Sequence, residues 1–496
     1  MGPNQLVERL RRLDPSRVLA GVLTLAVLLA ASAAWHWSPT YDESNHLEMG
    51  RRIVDQWDFS RFDNSKMPIS ALNYLGHKMA WGGPDEALFG ARLVQLGWLI
   101  GTAIVTFLWT RQLLGPWPAV GAASLVALDP NLMAHASVAT TDAPCTFFVL
   151  LSTWLFWHAL KDPSRKRWLM AGGVLGLAQA AKFTSVFLVP ILGLIALGFL
   201  LSTRNGKPFR GLGWYAAAAL LTLNGAYAFQ GSFTPAKNIQ WQSETFQPLA
   251  STPIPLPVPR AWAEGVDWVK ADDDRGHGNV YVDGQMTPKG QKDYYLRALS
   301  RKFPLPLLIL PLIGLWGMRG RGREALPLVI PPLFLLTWFS VAFNFQLGIR
   351  YVLPVVPFLA IWAAHASPRL LGAGIAWTFV SGLSWWPWGL SYMNETVLDR
   401  SEAWRHLADS NLDWGQGQGA AEDWLLENPG GSVDPEWPVA GPMLVSGNVL
   451  TGVLRDPKYF TCVRAGESAT EVVAGSYFAF ELSAAEAAAC RPTETR

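Results

Sequence analysis

Charge is scarce in this chain. Only 16% of its 496 residues are charged, where a soluble domain carries nearer a quarter. Half are apolar, and they gather in runs long enough to cross a bilayer, so an ordinary soluble globule is excluded. Three cysteines cannot make a disulfide scaffold, and there is no CxxC pair to hold a metal. Neither a Gly-rich phosphate loop nor an internal repeat is present. The formal net charge of +2 identifies no partner, and nothing here points to nucleic acid.

What is present is a series of apolar runs flanked by charge or turn residues, together with 25 tryptophans. The runs cover 18–37, 88–110, 117–135, 143–160, 168–181, 183–201, 211–229, 304–318, 325–343, 350–366 and 369–390. The long stretch 168–201 is divided at Lys182, and 350–390 is divided near Pro368. The fold class expected is an α-helical polytopic membrane protein with about eleven transmembrane helices. With the N-terminus in the cytoplasm, the inner segments hold 16 basic residues against four acidic ones, as the positive-inside rule requires. A cleavable signal peptide is the alternative for the start, since an Arg-rich stretch and an apolar run precede Ala31-Ser32-Ala33. The span count and the charge bias favour an uncleaved first helix.

Three large segments then lie outside: 38–87, 230–303 and 391–496. Residues 1–390 form the expected membrane domain and 391–496 an extracytoplasmic C-terminal domain. That tail has 16 acidic and seven basic residues, and stretches such as GPMLVSGNVL and GSYFAFELS read as a small α/β unit. Cys462 and Cys490 both fall in it, in a compartment where a disulfide is allowed but not required by spacing. Asn394-Glu395-Thr396 is an outward glycosylation sequon.

Several polar groups stand at the outer boundary. Asp42 and Glu43 are adjacent carboxylates in YDESNH, with His46 one helical turn on. A carboxylate here suits a general base toward a hydroxyl, while helix N-capping is the plainer reading and the favoured one from the loop alone. Lys66 in SKMP suits a lipid phosphate, although a snorkelling lysine looks the same. Asp142 in TTDAP is an ionisable group at the membrane boundary, where unpaired charge is costly; its plainer reading is also a cap, with Pro144 in the first turn. Arg350, beside Tyr351 in RYVLPVVP, needs an anion at this depth, and Lys182 in AKFTS falls on the same side. Asp42, Lys66, Asp142, Lys182 and Arg350 come from five separate segments, and the topology brings them all to one membrane face. That convergence outweighs any single motif.

With YDESNH, SKMP, TTDAP, AKFTS and RYVLPVVP, the order of HGNVYVDGQMTPKGQKDYYLRALSRKFPLPLL and DSNLDWGQG is informative. The chain resembles the GT-C membrane glycosyltransferases, in particular the family-39-like group that includes protein O-mannosyltransferases and aminoarabinose transferases. The resemblance runs from about residue 18 to 420. It implies that Asp42 is the base, with Glu43 beside it, and that Asp142 is the second outward aspartate. It implies that Lys66 faces the carrier phosphate, although the family motif more often reads Lys-Pro-Pro where this chain has Met67. Arg350 becomes a second phosphate contact, and His277 lies in an external loop motif of the same group.

The function expected is transfer of a sugar from a polyprenyl-phosphate donor to a hydroxyl of a protein, lipid or glycan acceptor at the outer membrane face. A polyprenyl phosphate leaves readily when cations stabilise it, so one carboxylate suffices to activate the hydroxyl for in-line, inverting attack. Glycosidases need a paired acid and base instead. No cofactor is required; a divalent ion on Asp42, His46 and Asp142 is left open. The rivals are a transporter or flippase, which calls for repeat symmetry and mid-bilayer charges, and a non-catalytic membrane scaffold built on the acidic tail.

Overall fold

The structure is a computed structural model that describes residues 14–60, 67–276, 278–466 and 468–491. Lys66 and His277 lie outside the described residues. The first described helix is α1 (Pro15–His36), which Asp14 caps by accepting from the Ser16 amide, with Pro15 at the first helical position. Two short amphipathic helices follow, α2 (Glu43–Gln56) and α3 (Ser70–Met79), and then the long α4 (Pro84–Leu114). Gly115 and Pro116 turn the chain into α5 (Pro116–Ala127). The apolar run 117–135 is therefore not one helix: it breaks at Asp129, which caps α6 (Pro130–His135) through the Leu132 amide.

The remaining membrane helices are α7 (Asp142–Lys161), α8 (Arg165–Ala181), α9 (Leu188–Thr203) and α10 (Leu212–Ala226). After the loop helix α11 (Arg260–Arg275) come α12 (Tyr294–Lys302), α13 (Leu305–Gly317), α14 (Leu326–Val341), α15 (Val356–Ala363) and α16 (Pro368–Leu383). The divisions expected at Lys182 and Pro368 are both present: Lys182 ends α8 in an extended conformation, and Ser367 caps α16. Among the described residues, five helical segments are long and apolar enough to cross a bilayer alone, and α12–α13, bent by 109° before Pro304, makes up to six. The other expected spans fold as shorter helices. Close packing depends on small residues where helices touch: a Cβ on Gly172 of α8 would stand 2.1 Å from the Tyr215 carbonyl oxygen of α10.

In the tail, GPMLVS forms β4 (Gly441–Ser446) and YFAFEL forms β6 (Tyr477–Leu482), as the two stretches suggest. With β3 (Ser432–Val433) and β5 (Glu471–Val473) they make a four-stranded sheet of order β3-β4-β6-β5, mixed because β3 runs parallel to β4. A separate antiparallel hairpin, β1 (Val280–Val282) with β2 (Gln285–Thr287), lies in the loop before α12. One buried cluster runs without a break from Leu99 and Phe148 in the membrane helices to Leu412, Met443 and Phe478 in the tail. Cys462 and Cys490 are bonded, their Cα atoms 5.4 Å apart. The sequon is closed to modification in the folded chain, because Asn394 is buried and its amide donates to the carbonyls of Ser300 and Phe303.

Candidate active site

Asp42 sits at the N-terminal end of α2 but does not cap it: no backbone amide of the helix is bonded to its side chain. The carboxylate reaches across the fold instead, accepting from Arg350 Nη2 at 2.9 Å. The plainer reading of this aspartate is thereby set aside. Asp142 opens α7 and likewise makes no cap; its Oδ2 lies 3.2 Å from Arg350 Nε, and its Oδ1 is bonded to Lys182 Nζ. His135, at the end of α6, stands 3.5 Å from the same carboxylate. Four of the charges expected at one face thus meet as a chain, Asp42–Arg350–Asp142–Lys182.

Exposure separates the two acids. The Asp142 side chain is fully buried, whereas that of Asp42 is 27% exposed. Asp142 therefore faces two fixed cations in a medium of low dielectric, where such pairing is strong and its loss is costly. Of the two carboxylates, only that of Asp42 is open to the surroundings. Tyr351, the neighbour of Arg350, presents its ring to Lys182 Nζ at 4.9 Å and packs on Phe339 and Phe343.

Glu43 has a different position. It is completely buried and accepts from Arg92 Nε at 2.8 Å and Nη2 at 2.6 Å, from the Thr40 amide at 2.9 Å, and from the Ala139 amide at 2.8 Å. Arg92 in turn donates to the carbonyls of Ala34, Trp37 and Ser38 at the end of α1. This bidentate pair ties α1, α2, α4 and the loop before α7 together. Every visible partner of Glu43 is structural, so its effect on Asp42 comes through the backbone they share. His46 is buried beneath α3, its Nδ1 3.1 Å from Ser70 Oγ. Among the described residues no three His, Cys, Asp or Glu side chains are grouped to hold a metal ion, and the guanidinium of Arg350 stands between Asp42 and Asp142.

The tail completes the site. Trp414 lies over Arg350, ring centroid to guanidinium carbon 4.3 Å, and its carbonyl accepts from the Tyr41 amide at 3.1 Å, one residue before Asp42. The strand of chain carrying it is fixed on both sides. Asn411 Oδ1 accepts from the Ile349 amide at 3.0 Å, and its Nδ2 donates to Tyr294 Oη at 2.8 Å. Gly348 has a positive φ of 62°, and a Cβ there would come within 2.5 Å of Ser410 Oγ, so only glycine lets the Arg350 turn approach the tail this closely. Asp413, buried behind Trp414, accepts from the Gly415 amide at 3.0 Å; burial pushes its carboxyl up to about 7, with Asp434 and Asp409 adding repulsion.

Sequence reasoning passed over Trp414, His135 and Arg92. DSNLDWGQG stood out as a segment, yet no residue type in it announces a partner across the fold. Arg92 did leave a signal: an arginine inside an apolar run requires an acid.

Residues 84–226 match a family model described as dolichyl-phosphate-mannose-protein mannosyltransferase. Over 141 residues the chain is 30% identical to the undecaprenyl phosphate-alpha-4-amino-4-deoxy-L-arabinose arabinosyl transferase of Pseudomonas aeruginosa strain LESB58, which is 27% of this chain and 25% of that protein. The chain thus spans about a quarter of the length of the curated relatives it matches. Similarity in three dimensions reaches further. The crystal structure of ArnT from Cupriavidus metallidurans bound to undecaprenyl phosphate aligns with a TM-score of 0.54 at 16% identity, over 78% of this chain and 68% of that one. The chain has a GT-C fold.

Archaeal oligosaccharyltransferase AglB from Archaeoglobus fulgidus, in complex with an inhibitory peptide and a dolichol-phosphate, aligns at a TM-score of 0.50 and 12% identity over 84% of this chain and 62% of that one. The likeness in three dimensions is one of fold, and the chain is a multi-pass integral membrane protein. Within this GT-C fold, Asp142 and Lys182 fall inside the stretch matched by the family model, while Asp42, Arg350 and Trp414 fall outside it.

Proposed function

We propose that the chain transfers a sugar from a polyprenyl-phosphate carrier to an acceptor hydroxyl, with Asp42 as the base. One observation carries this reading: Arg350 is bonded to the accessible Asp42 and to the buried Asp142 at once. Asp142, itself paired with Lys182, and Trp414 hold Arg350 in place. An incoming carrier phosphate competes with Asp42 for the guanidinium, and Asp42 is freed as the donor binds. The acceptor oxygen attacks the anomeric carbon and passes its proton to Asp42. The bond from that carbon to the phosphate oxygen breaks, and the electron pair leaves with the polyprenyl phosphate. Attack from the opposite side inverts the anomeric centre. Arg350 and Lys182 provide fixed positive charge where the departing phosphate develops, so no metal ion is assigned a role. Lys66 and His277, outside the described residues, are assigned to the donor side by resemblance alone.

The site is placed on the non-cytoplasmic face. The disulfide in the tail and the 16 basic against four acidic residues of the inner segments support that orientation. On this reading 1–390 is the catalytic membrane domain, and 391–496 is the extracytoplasmic unit that closes it through Trp414. The acceptor is a protein, lipid or glycan hydroxyl.

The test is incubation of the purified protein with polyprenyl-phosphate sugars, with mass spectrometry for free polyprenyl phosphate. Release that depends on added acceptor is the expected result. Movement of the intact lipid-linked sugar across vesicles, without cleavage, would make the protein a transporter.

A further inference from the structure

A second polar recess lies apart from the catalytic charges, where α16 meets the start of the tail. It is a cavity of about 240 Å³ lined by Ser381, Ser384, Trp385, Asn394, Glu395 and Arg400, among others. Most of its polar groups are already bonded within the protein. Ser381 Oγ is 2.7 Å from Tyr392 Oη, Ser384 Oγ donates to the Ser381 carbonyl at 2.7 Å, and Asn394 is held by Ser300 and Phe303.

Two are not. Arg400 stacks its guanidinium over Trp385 at 4.4 Å, and among the described residues no carboxylate pairs with it. Its acidic neighbours are engaged elsewhere: Asp399 accepts from the Ser401 amide and hydroxyl, and Glu402 pairs with Arg405. Glu395 accepts from Trp377 Nε1 through Oε1 at 2.7 Å, while its Oε2 has no hydrogen-bond partner among the described residues. An arginine with no paired carboxylate and a glutamate, both lining one recess, suit a ligand that carries both charges.

The surroundings say where such a ligand comes from. Leu398 is 93% exposed, and Trp377, Val380 and Leu383 on α16 present further exposed apolar surface beside the recess. An exposed tryptophan such as Trp377 beside a charged recess marks the level of lipid head groups in a membrane protein.

We propose that this recess binds the head group of a membrane phospholipid bearing a primary amine, with its phosphate on Arg400 and its ammonium against Glu395. Neither residue touches Asp42, Asp142 or Arg350, so the inference stands apart from the proposed transfer reaction. It makes this edge of the fold a fixed lipid contact that positions α16 and the entry of the tail.

The test is native mass spectrometry of the full-length protein in detergent, with phosphatidylethanolamine or phosphatidylglycerol of identical acyl chains, and with free phosphoethanolamine. The wild-type protein is expected to retain the ethanolamine lipid about tenfold over the glycerol lipid. Arg400→Gln is expected to lose both, and Glu395→Gln to lose only the preference. Equal retention of the two lipids, or retention that neither substitution changes, would mean general lipid adhesion and overturn the proposal. Binding of free phosphoethanolamine with no retention of the lipid would overturn it as well. Thermal unfolding of each variant confirms folding, and Arg400→Lys, which keeps the charge but not the planar stack, is expected to fall between wild type and Arg400→Gln.

Discussion

Trp414 covers the guanidinium of Arg350 at 4.3 Å, though 63 positions separate them in the chain. The contact makes the tail a wall of the candidate site, since the Trp414 carbonyl also holds the Tyr41 amide next to Asp42. Replacing Trp414 with Ala removes a desolvated cation–π contact worth about 1–2 kcal/mol. Transfer is expected to drop about tenfold, with Trp414→Phe recovering most of it. Initial rates of polyprenyl phosphate release, read beside thermal unfolding in detergent, check this.

Glu43 and Arg92 form a buried pair, with side-chain exposures of 0% and 2%. Glu43→Ala leaves the guanidinium buried with no counter-charge and is expected to cost about 3–5 kcal/mol. The double variant Glu43→Ala, Arg92→Leu is expected to be less destabilised than Glu43→Ala alone. Denaturation midpoints of the three proteins decide whether this acid is structural.

Much of the architecture was legible because the bilayer leaves few options. Apolar runs gave the helices, and the breaks at Lys182 and Pro368 followed from charge and proline. The charge cluster was legible for the same reason: Asp42, Asp142, Lys182 and Arg350 are costly at a membrane boundary unless they serve one another. The break at Asp129 was not, because a single aspartate inside 117–135 did not outweigh the apolar residues around it. Trp414 was hidden differently. It is one of 25 tryptophans, and only the folded path of the tail brings it to Arg350. The unequal fates of Asp42 and Glu43 also needed the structure, since adjacent carboxylates look alike until one is seen buried against Arg92.

Asp413 gives a pH signature. Its carboxyl is raised to about 7 in the folded chain by burial, against about 3.9 in an unfolded one. The folded state therefore holds a proton that the unfolded state releases first. Stability from this group is present at low pH and is lost as pH rises from about 4 through 7. Relative to wild type, Asp413→Asn is expected to flatten the decline in melting temperature between about pH 4 and 7. Parallel melts across that range measure it.

The bond between Cys462 and Cys490 closes a loop with a sequence separation of 28. On the chain-entropy account, removing it costs about 3–4 kcal/mol. The variant carrying Cys462→Ser and Cys490→Ser is expected to melt at lower temperature yet retain transfer at 25 °C, because neither cysteine approaches Arg350 or Asp42. Melting in the presence and absence of reductant provides the comparison.

The account turns on Asp42, and one assay addresses it directly: acceptor-dependent release of polyprenyl phosphate by Asp42→Asn. Loss of a positioned base predicts a fall of at least about a hundredfold, in a variant whose melting temperature is unchanged. Release at the wild-type rate by the folded variant would contradict the account.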